Sequence, residues 1–138
     1  MVNDYFLGLA QQASEICGID YRWIYSQWVH ESTNVDTGVP FESELAIDNH
    51  NLAGLTQFED NGCPQPDGRF YYINFPTYEA YANYFGRYIK KYYPETLSAQ
   101  TIPEYAEALK NGQYFGDTLE NYISGMENAF KEAFENGM

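Results

Sequence analysis

Glu31 is the residue in this sequence best placed to move a proton. It lies near the end of the run Ile24-Tyr25-Ser26-Gln27-Trp28-Val29-His30-Glu31-Ser32, which reads as a helix. Gly18 would end a preceding helix, Asp20 offers a cap oxygen, and no glycine or proline interrupts the run to Ser32. At roughly 100° per residue, Ile24, Trp28, Tyr21, Tyr25 and Val29 share one apolar arc. Glu31 falls at the rim of that arc, close in angle to Ile24, while Arg22, Ser26 and His30 face the other way. Partial burial and the negative end of the helix dipole both favour a protonated carboxyl, the state a general acid needs. Most glutamates near helix ends are nevertheless solvated, and on this helix alone the surface reading comes first. Other constellations carry less. His30 and His50 with Asp48 lack metal-ligand spacing. Neither Cys17 nor Cys63 sits with a histidine at nucleophile spacing, and no G-x-S-x-G or phosphate-binding loop occurs. No metal and no cofactor is expected.

The elements that must position Glu31 are mostly helical. Phe6, Leu9, Ala10, Ala13 and Cys17 predict a first helix over about 3–17, ahead of the Glu31 helix. Residues 33–40 carry Asn34, Asp36, Gly38 and Pro40 and read as a loop. Ser43-Glu44-Leu45-Ala46 predicts a short third helix. Leu52–Phe58 and Phe70–Phe75 read as strands, joined by a turn-rich connection with Asp60-Asn61-Gly62, Pro64, Pro66 and Asp67-Gly68. A strong helical stripe (Tyr78, Tyr81, Ala82, Phe85, Tyr88, Ile89, Tyr92) follows and is closed by Pro94. Thr101 with Glu104 predicts a capping box for a helix ended by Gly112. Asp117 with Glu120 has the same cap spacing for a last helix striped by Leu119, Tyr122, Ile123, Met126, Phe130 and Phe134. The expected fold is mainly α (α+β): one domain over 1–138, with a small β-hairpin lobe at about 52–75.

A chain of 138 residues with 18% aromatic content, 14 of them tyrosines, can bury a core and is too aromatic for disorder. Tyrosine also suits a groove that stacks on sugar rings or bases, although most of the fourteen are expected to fill the outer core. The net charge of −13 lacks the basic footprint of a nucleic-acid binder and disfavours anionic membranes. Two cysteines are too few for a disulfide framework, and they could equally pair or stay reduced. With no secretory leader pattern and no apolar run of membrane length, the chain is expected to be intracellular, part of a longer exported protein, or released by lysis.

Three runs in order carry a resemblance: Trp28-Val29-His30-Glu31-Ser32, Ser43-Glu44-Leu45-Ala46 and Asn49-His50-Asn51-Leu52-Ala53-Gly54-Leu55. Together they resemble the signature of the bacterial glucosaminidases of glycoside hydrolase family 73, a lysozyme-like family that includes autolysins and flagellar peptidoglycan hydrolases. Phe75-Pro76-Thr77-Tyr78 with Tyr81-Ala82-Asn83-Tyr84, and Leu109 through Asp117 with Tyr122, are similar to its later segments. The resemblance spans about 20–130. It implies a lysozyme-like helical domain in which Glu31 is the acid that protonates the glycosidic oxygen. It also implies that Asn51, Leu52 and Gly54 shape the cleft floor, that Tyr114 lines the cleft near the cleaved bond, and that Tyr122 stands close to the family's next tyrosine. A second carboxylate would come from the β-lobe. Glu59 is the first choice there, and Asp60 and Asp67 read better as turn residues. Inverting enzymes hold the pair roughly 6.5–9.5 Å apart and retaining ones about 5–5.5 Å, while assistance by the substrate's N-acetyl group would need no partner.

The implied activity is endo-β-N-acetylglucosaminidase cleavage of peptidoglycan glycan strands, by a monomer acting at the cell wall as an exported domain or a phage lysis or tail component. Muramidase or lytic transglycosylase action on the same glycan, a non-catalytic glycan-binding module, and an acidic partner-binding domain of unrelated function are the alternatives. No nucleic acid and no membrane insertion is expected. The chain departs from the family pattern at Thr33-Asn34-Val35, where Gly-Trp-Gly is usual, and at Ala53 and Thr56. Its acidity also sits awkwardly with an anionic wall, and a basic wall-binding partner domain would resolve that.

Overall fold

The computed structural model describes residues 2–57, 62–64 and 71–135, with the backbone alone at 57, 62–64 and 71. The chain is mainly helical: α1 Asp4–Cys17, α2 Tyr21–Ser32, α3 Glu44–Asn49, α4 Tyr78–Tyr92, α5 Ile102–Asn111 and α6 Leu119–Phe130. A 3-10 turn over Pro94–Ser98 follows α4, and a π turn over Lys131–Glu135 continues α6. Among the described residues, no helix is long and apolar enough to cross a membrane. Two compact units divide the chain, residues 1–27 with 82–138 and residues 28–81. The expected β-lobe lies inside the second unit, which also takes in the end of α2 and all of α3.

The first unit is built by helices whose ends follow local chemistry. Asn3 accepts from the Phe6 N–H to start α1, and Gly18 (φ 83°) closes it in the left-handed conformation. Asp20 then accepts from the Arg22 N–H at 2.9 Å to start α2. Thr101 caps α5 as expected, but Glu104 completes the box one residue early, accepting from the Gln100 N–H at 2.7 Å. The cap expected at Asp117 belongs to Thr118, whose hydroxyl accepts from the Asn121 N–H, while Asp117 accepts from Thr118 and Asn121. Two glycines are chosen for space. A Cβ on Gly86 of α4 would stand 2.9 Å from both the Ala13 carbonyl oxygen and Ile16 Cβ of α1, so these helices pack backbone to side chain. At Gly112 a Cβ would meet the Tyr93 ring at 2.7 Å, and here the left-handed turn is taken by Gln113 instead (φ 66°).

Ser26, expected on the polar side of α2, and Gln27 are both fully buried. Each has a partner that makes this tolerable. The Ser26 hydroxyl donates back to the Arg22 carbonyl at 2.7 Å. The Gln27 amide donates to the Tyr122 hydroxyl at 3.1 Å and accepts from the Tyr105 hydroxyl at 2.6 Å, joining α2, α5 and α6.

The second unit carries the sheet. Three short antiparallel strands, β1 Thr56–Gln57, β2 Gly62–Pro64 and β3 Tyr71–Ile73, are ordered β1-β3-β2. The two expected strands do pair with each other, as β1 and β3, but they are shorter than expected and β2 adds a third strand on the other side of β3. Residues 52–55 form a loop because the Asn51 side chain satisfies Leu55 locally, and Gly54 turns left-handed there (φ 62°). The turn-like composition around Gly62-Cys63-Pro64 concealed an edge strand, a position where proline is tolerated. Packing in this unit is aromatic: Trp28 lies 5.1 Å from Tyr81, and Phe75 meets Tyr81 edge-on at 5.4 Å.

Candidate active site

Glu31 sits half-buried in the last turn of α2. Its neighbours fix that turn from both sides. The buried Ser32 hydroxyl donates to the Trp28 carbonyl at 2.6 Å and accepts from the Phe41 N–H at 3.1 Å, and the Ser32 carbonyl accepts from Ser43 at 2.9 Å. Thr33 donates to the Val29 carbonyl at 2.6 Å. Asn34 closes the following loop, accepting from the N–H groups of Asp36 and Thr37 and donating to the Glu42 carbonyl. The departure from Gly-Trp-Gly is thus occupied by two side chains that tie the loop to itself.

Phe41 was invisible to sequence reasoning. It is buried with φ 65°, a conformation costing a bulky L-residue on the order of 1–3 kcal/mol and held only where surroundings enforce it. Here the Ser32 hydroxyl receives its N–H, so the strain is stored within one hydrogen bond of the residue following Glu31.

Ser43 ends this loop and caps α3 through the Ala46 N–H, as the Ser43–Ala46 run predicts. Past α3, His50 turns left-handed (φ 51°) and sends the Asn51 N–H back to the Leu45 carbonyl at 3.1 Å. Its ring bonds the Phe75 carbonyl at 2.8 Å through Nδ1 and meets Tyr78 edge-on at 4.6 Å. The Tyr78 hydroxyl in turn donates to the Ala46 carbonyl at 2.8 Å. His50 is therefore a corner post of the unit. Among the described residues, no three metal-ligating side chains cluster.

Asn51 and Leu52 are both 1% exposed, so each acts from beneath the surface. The Asn51 amide donates to the carbonyls of Leu55 and Ile73, both at 3.0 Å, and its oxygen accepts from the Leu55 N–H. Gly54 is exposed beside them, and a Cβ there would stand 3.8 Å from the Tyr72 ring. Hydrogen bonds thus run from Ser32, the neighbour of Glu31, to Ser43 at the start of α3, and past α3 from Leu45 to Asn51 and on to Ile73.

No protein-family model, curated protein or solved structure matches this chain. The site rests on its own residues.

Tyr114 and Tyr122 belong to the first unit. Tyr114 follows α5, half-buried, with its ring edge-on to Tyr93 at 5.3 Å. Tyr122 is 2% exposed, stacked at 3.8 Å under Phe115, and its hydroxyl accepts from Gln27. Tyr114 is thus partly exposed, whereas Tyr122 is enclosed in the helical core. Glu59, the expected second carboxylate, and its alternatives Asp60 and Asp67 lie outside the described residues.

Proposed function

We propose that this chain is a lysozyme-like glycosidase that cleaves the glycan strands of peptidoglycan after N-acetylglucosamine, with Glu31 as general acid. The reading is carried by one observation: a half-buried carboxylate on a helix-terminal turn that Ser32 locks at both its hydroxyl and its carbonyl. A proton donor must be held to within a fraction of an ångström by partners that are themselves fixed, and this turn is held that way. The Glu31 carboxyl gives its proton to the glycosidic oxygen as the C1–O bond breaks, and water supplies the new hydroxyl at C1 and returns a proton. Glu59 is the carboxylate proposed to guide that water. Such an enzyme works at the cell wall, carried there by export or by a phage.

Digestion of purified peptidoglycan, with mass spectrometry of the reducing ends, tests this. The parent releases strands ending in N-acetylglucosamine, and Glu31→Gln loses at least about 100-fold in rate, the lower range for general acid catalysis. Ends in N-acetylmuramic acid or its anhydro form would move the assignment to muramidase or transglycosylase action. Equal rates for parent and Glu31→Gln would remove Glu31 from the chemistry.

A further inference from the structure

Trp23 is half-buried near the start of α2, and it lines two cavities of the first unit. The first cavity, about 560 Å³, opens between the α1–α2 turn and the 3-10 turn, with Tyr21 and Leu97 among its walls. The second, about 410 Å³, opens between α2, the start of α5 and the end of α6, where Pro103 and Phe130 line it. Both fall in the size range of small-ligand sites, roughly 300–1,000 Å³. Asp20, Arg22 and Trp23 line both cavities, so the two meet along a shared edge. Every residue involved lies in 1–27 or 82–138.

Local chemistry presents the three shared side chains together. Asp20 caps α2 through the Arg22 N–H at 2.9 Å and grips the Arg22 guanidinium at Nε (3.2 Å) and Nη2 (2.8 Å). Arg22 Cζ also lies 5.5 Å from the centre of the Phe130 ring. The guanidinium is thus fixed from two sides, and among the described residues its Nη1 group has no protein partner. Among the same residues the one ring contact of Trp23 is Tyr105, tilted at 37° with centroids 6.0 Å apart, and its indole N–H is unbonded. An indole at a cavity wall with its N–H unspent offers both a stacking surface and a donor. In the first cavity Asp20 and Arg22 are the only charged lining residues, and they neutralise each other. The second adds Glu127, Glu135 and Lys131, so two acids against one lysine leave it at −1.

We propose that the two cavities meeting at Trp23 form a binding site for a neutral oligosaccharide, with Trp23 as the stacking platform and the Asp20–Arg22 pair as a hydroxyl clamp. The site lies wholly within the first unit and stands whether or not Glu31 cleaves a glycan. A sugar ring offers an apolar C–H face to the indole, and around its edge hydroxyls that both donate and accept. Asp20 and Arg22 set an acceptor and a donor side by side, the pattern that two adjacent hydroxyls complete. An anionic ligand, a phosphate backbone included, would meet a guanidinium already neutralised by Asp20 and, in the second cavity, Glu127 and Glu135. An apolar peptide anchor would cover the same polar groups and leave them without partners, which costs free energy. A neutral ligand with many hydroxyls meets neither penalty.

The test uses the full chain carrying Glu31→Gln, so that strands are not consumed. NMR of the isotope-labelled chain reads the site directly, because the two tryptophans give separate indole N–H signals and Trp23→Phe assigns that of Trp23. Titration with cellotetraose and with chitotetraose, neutral strands that differ in the acetamido group, is expected to move the Trp23 signal saturably. Arg22→Met, at an exposed side chain whose backbone cap on Asp20 remains, is expected to weaken that binding about tenfold, the scale of a hydrogen bond from a charged group. Trp23→Ala, followed through the Gly18 and Ala99 amides of the first cavity, is expected to weaken it about five- to tenfold, toward the upper end for one aromatic contact. A Trp23 signal that neither strand moves would overturn the site, as would binding to Arg22→Met as tight as to the parent. A proline-rich peptide that moves the signal at lower concentration than either strand would overturn it in favour of peptide docking. If the chain with Glu31 intact leaves peptidoglycan uncut while the Trp23 signal still saturates, the catalytic reading falls and this site stands.

Discussion

Gln27 and Asn51 are both buried amides at the centre of their own unit, and they hold it in opposite ways. Asn51 spends its hydrogen bonds on backbone, at Leu55 and Ile73. Gln27 spends its bonds on two phenols, Tyr105 and Tyr122, which are 78 and 95 residues away in sequence. The first device shapes a loop, since it ties Leu55 back to Asn51 four residues earlier. The second fixes the register of three helices already formed. A backbone partner cannot be substituted away, whereas a side-chain partner can. The two amides therefore differ less in the strength of their bonds than in whether their loss can be repaired.

Substitution separates them. Asn51→Leu keeps the branching of the side chain and leaves the buried Leu55 N–H without the oxygen it bonds, while the Leu55 carbonyl keeps the Ile73 N–H at 2.9 Å and the Ile73 carbonyl keeps the Asn49 amide at 3.4 Å. The expected loss is about 3 kcal/mol in urea unfolding, with no second-site change able to restore it. Gln27→Leu should cost about 2 kcal/mol, because two phenols lose their partner in the core. Adding Tyr105→Phe and Tyr122→Phe should return the protein to within about 1 kcal/mol of the parent, since apolar replacement of every partner removes the desolvation cost along with the bonds. A triple variant no more stable than Gln27→Leu would break the contrast.

The same contrast explains what could be read in the sequence. Helix ends were legible wherever the signal is local: Gly18, Asp20, Ser43 and Thr101 act within four residues of themselves. Thr118 displaced Asp117 by one position because both can cap and only the loop geometry chooses. Burial of Ser26 could not be read, since its position on the helical wheel says polar, and the partners that permit burial of Gln27 are remote. For the strands, local chemistry worked against the periodicity. Leu52 to Leu55 has strand composition, yet Asn51 closes it first. At the candidate site, the sequence marked Glu31 and the runs that support it. It gave no sign of Phe41, because nothing in a phenylalanine announces a left-handed backbone that only Ser32 and the loop enforce.

Asp20 sharpens the comparison from the exposed side and should give the smallest effect. Like Asn51 it satisfies backbone, accepting from the Arg22 N–H, but it also pairs with the Arg22 guanidinium at 2.8 Å in reach of solvent. Partial burial acts to raise its carboxyl pKa, and the side-chain and backbone hydrogen bonds and charge of Arg22 together outweigh it, leaving the pKa below its ordinary value. A lowered folded-state pKa means the contribution is present above the unfolded value near pH 4 and is lost as pH falls through the folded one. Asn caps a helix about as well as Asp, so Asp20→Asn removes the charge and keeps the cap. The variant should be less stable by about 0.5 kcal/mol at pH 7 and low salt, the scale of an exposed pair. That difference should close as pH falls below about 4, and also as salt rises, because exposed charges are screened. Neither change should alter the penalties at Asn51 and Gln27, whose partners carry no charge and lie beyond the reach of counterions. A gap at Asp20 that persists at low pH and high salt would show that the carboxylate acts through packing, as the buried amides do, and the distinction between screened and unscreened polar contacts in this chain would fall.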